Sequence, residues 1–123
     1  MHILMKVNGD SFQIELYDNP AVAEFIKKLP LELNMSDLNG NEKKYDLPFK
    51  LPVGEVRPGV INNGDLMLYG SKTLVLFYEN FNSSYSYTRI GKVNNPGKLK
   101  DLLGNDNSLV KFTLYTNGNA KPN

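Results

Sequence analysis

The sequence predicts a mainly β protein of seven or eight strands with two short helices, and a closed barrel is favoured over a sandwich. Three observations carry this expectation. Four Asn-Gly pairs punctuate the chain, at Asn8-Gly9, Asn39-Gly40, Asn63-Gly64 and Asn117-Gly118, and Asn-Gly favours the positive φ of type I′ hairpin turns. Short segments of alternating apolar and polar residues lie between such turns, the period of a half-buried strand. Two further segments, one near each end of the chain, switch to helical period, which suits covering the two open mouths of a barrel.

Taken in order, "ILMKV" (3–7) and "SFQIELY" (11–17) flank the first pair, with Phe12, Ile14 and Leu16 facing inward, and read as a hairpin. "DNPAVAEFIKKLP" then changes period. Asn19 can cap, Pro20 fits the first helical position, and Val22, Phe25, Ile26 and Leu29 form one apolar stripe that ends at Pro30. "LELNMSDL" (31–38) alternates as a strand. From Asn39 to Gly59 the chain has three prolines and little periodicity, and is expected to be a long ordered loop around "YDLPFKLP". "LMLYG" (66–70) and "TLVLFYE" (73–79) read as strands joined at Gly70-Ser71-Lys72. The second is apolar almost throughout, so both its faces are expected to be covered. "SYSYTRI" (84–90) follows as a strand, then a short helix "KLKDLL" with Leu99, Leu102 and Leu103 inward and Gly104 as its stop. "LVKFTLY" (109–115) closes the sheet.

Length and composition place limits on function. The 123 residues suit one domain, 1–123, with an ordered core over 3–116 and a flexible tail over 117–123. A chain of this size buries roughly two-thirds of its unfolded surface and needs no staple. A net charge of +1 without a concentrated basic face argues against a nucleic-acid partner. With no cysteine, and His2 as the only histidine, thiolate chemistry, Ser-His-Asp catalysis and histidine or cysteine metal sites are excluded. No cofactor or metal is expected. No apolar run approaches the roughly 20 residues of a transmembrane helix. No signal peptide is visible, and the compartment stays open between cytoplasmic and exported, the latter if a leader has been removed.

Five carboxylates are candidates for acid–base work: Asp37, Asp46, Glu55, Asp65 and Glu79. Asp37 and Asp65 sit beside turns, where an Asp commonly bonds its own backbone. No catalytic pair is assigned. In a strand over 84–90, Tyr85, Tyr87 and Arg89 share one face, and Tyr45, Tyr69, Phe77, Tyr78 and Phe81 lie on neighbouring segments. Such a set can line an apolar cleft with a few placed polar groups. The competing reading is a cross-strand aromatic ladder with Arg89 stacked over a ring.

Three stretches, "LPLELNMSDLNGNEKKYDLP", "GDLMLYGSKTLVLFY" and "SYTRIGKV", resemble the bacterial cyclophilin-like domain family of unassigned function, over nearly the whole of Ile3 to Tyr115. The resemblance implies a closed eight-stranded barrel with a helix over each end. "IGKV" (90–93) is similar to the segment after the last active-site loop of true cyclophilins. "LVLFY" (74–78) is similar to the strand supplying their proline pocket, which implies Phe77 or Tyr78 at a pocket floor. The Phe-His-Arg and Ser-Gln-Phe-Phe segments of those prolyl isomerases are absent, and the only arginines are Arg57 and Arg89. Twisting a prolyl amide needs a donor near its nitrogen or carbonyl.

The reading is therefore a cyclophilin-like domain that binds a small molecule or a proline-containing peptide, without conventional isomerase activity. Its expected site is Phe77, Tyr78, Tyr85, Tyr87 and Arg89, walled by the Asn39–Gly59 loop with Tyr45 and Arg57. The alternatives are a divergent peptidyl-prolyl isomerase using Arg57 as electrophile, and a protein-interaction module with an exposed aromatic patch.

Overall fold

The computed structural model describes residues 1–104 and 106–114. Tyr115, Asn117-Gly118 and the expected tail lie outside them. β1 (His2–Val7) and β2 (Asp10–Leu16) form the first hairpin, turning on Asn8 and Gly9 at φ 49° and 85°. α1 (Pro20–Lys27) starts as its sequence requires: the Asn19 side chain accepts the Val22 N–H at 2.9 Å, and Pro20 occupies the first turn. β3 (Leu31–Leu38) and β4 (Glu42–Asp46) form a second hairpin on Asn39 and Gly40, at φ 58° and 65°. β5 (Val60–Ile61), β6 (Asp65–Tyr69), β7 (Thr73–Phe77), β8 (Phe81–Asn82) and β9 (Thr88–Val93) follow. A 3₁₀ turn (Pro96–Lys98) leads into α2 (Leu99–Leu103), and β10 (Ser108–Leu114) comes last.

Eight strands close into an antiparallel barrel in the order β1-β10-β3-β4-β7-β6-β9-β2, while β5 and β8 make a separate two-stranded sheet. The register fixes which end each helix covers. β10 pairs Phe112 with Leu31 at one end and Ser108 with Met35 at the other. Phe25 of α1 meets Phe112 edge-on, with centroids 6.0 Å apart, so α1 closes the first end. The Ser108 hydroxyl donates to the Leu103 carbonyl at 3.0 Å, so α2 closes the second. The expected mainly β barrel with a helix over each mouth is what forms.

The core divides in two. Inside the barrel lie Ile3, Met5, Ile14, Leu66, Leu74, Leu76 and Phe112 with their neighbours. Outside it, Ile61, Met67, Val75, Phe77 and Tyr87 form a second buried cluster, with Phe81 packed against it. β7 contributes to both, Leu74 and Leu76 inward and Val75 and Phe77 outward. This accounts for its continuous apolar sequence.

Three expectations need correction. The Asn39–Gly59 segment is not one loop: Glu42–Asp46 is a full barrel strand between β3 and β7. Its Lys43 points inward, so no apolar alternation marks it. The strand expected over 84–90 begins only at Thr88, because Tyr87 is held in an isolated antiparallel bridge to Val56. Asn63-Gly64 is not a hairpin turn but leads from the small sheet into the barrel.

Between β6 and β9 the register jumps from Leu66↔Gly91 to Met67↔Arg89, leaving Ile90 as the extra residue of a bulge. Beside it, Gly91 lets β2 approach closely. A Cβ there would stand 2.7 Å from both the Glu15 carbonyl oxygen and Ile14 Cγ2. Gly91→Ala should therefore lower stability by about 1–3 kcal/mol, read as a shift in urea midpoint at unchanged slope.

Candidate functional site

The β3–β4 hairpin positions two features at once, because successive residues of a strand face opposite sides. Inward, Lys43 is fully buried. Its ammonium has three acceptors: the Asp37 carboxylate at 3.0 Å, the Gly104 carbonyl at 2.9 Å and the Asp106 carbonyl at 2.5 Å. Asp37 sits directly across the ladder from Lys43. The same Asp37 oxygen accepts the Tyr78 hydroxyl at 2.5 Å, and its other oxygen accepts the Gly40 N–H at 3.0 Å. Burial alone would raise the Asp37 pKa, but the bonds from Tyr78, Lys43 and Gly40 outweigh it and hold the carboxyl below its ordinary range. Burial, then the bond to Asp37, pushes the Tyr78 hydroxyl far above its ordinary value. The backbone bond expected of a turn Asp is present at Asp37, and also at Asp65, which accepts the Asn62 N–H at 2.9 Å.

Outward, Glu42 and Lys44 wall a cleft of about 200 Å³, completed by Leu38, Tyr69, Thr73, Val75, Tyr85 and Tyr87. A second hollow of about 330 Å³ adjoins it, sharing Leu38, Glu42, Tyr85 and Tyr87 and adding Asn39, Asn41 and the Phe81–Ser84 segment. The rings form a continuous chain. Phe81 tilts against Phe77 (5.6 Å), Phe77 meets Tyr87 edge-on (5.6 Å, 89°), and Tyr87 lies 5.9 Å from Tyr69. Tyr69 in turn meets Tyr85 edge-on at 6.0 Å. The chain runs from Phe81 over the fully buried Phe77 to Tyr85, which is 62% exposed. Burial raises the Tyr87 pKa, and burial followed by repulsion from Asp37 raises that of Glu42.

Of the residues the sequence singled out, Tyr85 and Tyr87 line the cleft and Phe77 supports Tyr87 from beneath. Tyr78 points the other way, to Asp37. Tyr45 packs against the barrel interior. Arg57 is exposed on the 47–59 loop and lines neither hollow. Arg89 lies over the Tyr17 ring at 5.8 Å, on the β2 side of β9, and does not line the cleft with Tyr69, Tyr85 and Tyr87. Its stacking, and the ring chain, are features of the ladder reading. Glu42, Lys44 and Tyr69 complete the cleft. Tyr69 was visible as an aromatic on a neighbouring strand, whereas Glu42 and Lys44 lay in the segment expected to be a loop.

A model of the cyclophilin-like family matches residues 5–115. The chain belongs to the cyclophilin-like family. Among solved structures it is similar to the solution structure of a hypothetical protein from Archaeoglobus fulgidus, at a TM-score of 0.67 and 18% identity, covering 94% of this chain and 95% of that one. At that identity the likeness is one of fold. No curated protein matches the sequence. Among the described residues no helix is long and apolar enough to cross a membrane.

The Lys43 network yields a prediction with a definite sign. Asp37→Asn strands a buried ammonium without its counter-charge and should cost about 3 kcal/mol or more at neutral pH. Lys43→Met should cost less, since Asp37 keeps Tyr78 and Gly40 and its side chain is 16% exposed. The stabilisation from a depressed carboxyl pKa is present above the ordinary value of 3.8 and lost as pH falls through the folded one. The stability gap between the parent protein and Asp37→Asn should therefore narrow in acid, as measured by urea unfolding across pH.

Proposed function

We propose that this cyclophilin-like domain binds a proline-containing peptide in the tyrosine-lined cleft and does not run conventional prolyl isomerisation. The observation that carries this reading is the concave meeting of Tyr69, Tyr85 and Tyr87 over Val75 and Leu38, opening into a second, polar hollow. Aromatic grooves accept the flat face of a proline ring and the extended backbone around it at low entropic cost. Shape favours a peptide over an enclosed small molecule: the tyrosine hollow is small, about 200 Å³, and opens into its neighbour of about 330 Å³. Two joined hollows instead suit a chain that continues past its anchor. Concavity also favours this reading over a flat interaction patch.

The reading against isomerisation rests on which cations line the cleft. Stabilising a twisted prolyl amide needs a positioned donor at its nitrogen or carbonyl. Neither Arg57 nor Arg89 lines the cleft, and Lys44 is the one Lys or Arg among the residues that do.

Titrating labelled protein with a proline-containing peptide should shift the amides of Glu42, Tyr69, Tyr85 and Tyr87, while exchange spectroscopy shows the peptide's cis–trans rate unchanged. Tyr85→Ala removes an exposed ring, should leave the fold intact and should weaken binding about tenfold. Acceleration of cis–trans exchange that Arg57→Ala abolishes would establish the divergent isomerase instead.

A further inference from the structure

The two hollows differ in charge, and that difference names the residue that should accompany the proline. Glu42 is the one charged residue lining the polar hollow; its other walls are Leu38, Asn39, Asn41, the Phe81–Ser84 segment and the two tyrosines. The carboxylate is half-buried, and among the described residues no ion pair reaches it. Burial disfavours the charged form of Glu42, Asp37 across the β3–β4 ladder adds repulsion from behind, and attraction to Lys44 offsets them only in part. Lys44, two residues along the same face of β4, lines the tyrosine hollow and not the polar one. The cleft is therefore polarised along its length. A cation entering the tyrosine hollow meets Lys44, whereas one entering the polar hollow meets a carboxylate held in no ion pair, amid side-chain amides and hydroxyls that accept hydrogen bonds.

We infer that the cleft selects a proline flanked by a lysine or arginine, the proline on the tyrosines and the basic side chain in the polar hollow against Glu42. This inference rests on the peptide-binding reading above and adds its specificity. The complementarity has two parts, attraction at Glu42 and repulsion of the opposite orientation by Lys44, so it fixes direction as well as affinity.

Three peptides that differ only in the residue beside the proline (lysine, glutamine or glutamate) test it by calorimetry against the parent protein and Glu42→Gln. The lysine peptide should bind the parent about tenfold more tightly than the glutamine peptide, as expected of a charge-assisted hydrogen bond in a half-buried site, and the glutamate peptide should bind most weakly. In Glu42→Gln the lysine and glutamine peptides should bind alike. Because Glu42 has no ion pair to lose and its charge is disfavoured by burial and by Asp37, this variant's unfolding midpoint should not fall below the parent's. Equal binding of the lysine and glutamine peptides to the parent, or a lysine preference that survives in Glu42→Gln, would overturn the inference and leave the peptide-binding reading standing. Failure of all three peptides to bind the parent would overturn both.

Discussion

One buried ammonium organises the end of the barrel on which the cleft depends. Lys43 is fully enclosed, and an ammonium there is tolerable only because all three of its N–H groups find acceptors. Those acceptors come from β3 and from the connection between α2 and β10, so a single side chain ties a hairpin to the segment that follows the capping helix. Asp37 extends the tie to Tyr78 at the end of β7 and to the Gly40 turn. Tyr78 is bound a second time, its N–H donating to the Asn41 carbonyl at 3.0 Å. The strand that carries Lys43 inward carries Glu42 and Lys44 outward, and the wall of the cleft is the reverse side of the network.

The opposite wall is aromatic. Phe77 and Tyr87 are buried outside the barrel, beneath the Tyr69–Tyr85 pair, and the Tyr87 backbone is fastened to Val56 by bonds of 2.8 and 2.9 Å in both directions. Phe77 and Tyr87 are held in place by this packing and bridging, so little side-chain freedom remains to either ring. The family shares a barrel, but function resides in what the barrel displays. Here the display is tyrosine, one carboxylate and one lysine, with both arginines elsewhere.

Much of the fold was legible because it follows from period and turn chemistry. The β1–β2 hairpin, the Asn19-Pro20 start of α1, the two-faced β7 and the Gly104 stop of α2 are local signals that tertiary packing did not override. β4 was illegible for a definite reason. In "NEKKYD" the residue facing the core is a lysine, and its burial becomes tolerable only when Asp37 across the ladder and the distant Gly104 and Asp106 carbonyls all accept from it. Losing β4 hid Glu42 and Lys44. The fate of Arg89 turned on the Ile90 bulge and on Tyr17 just past the end of β2, both of them long-range features. Phe77 and Tyr78 were legible as a pair of aromatics. Which one faces the cleft depends on how the small β5–β8 sheet covers the outer face of the barrel, and two-residue strands leave too little pattern to read.

The most direct test of this account is amide hydrogen exchange in Lys43→Met compared with the parent protein. If Lys43 holds the barrel end and the cleft wall together, the Gly40 and Tyr78 amides should exchange at least about tenfold faster in the variant, by local opening, while the β1–β2 hairpin keeps its protection. Unchanged protection at Gly40 and Tyr78, or an equal loss across the whole barrel, would contradict it.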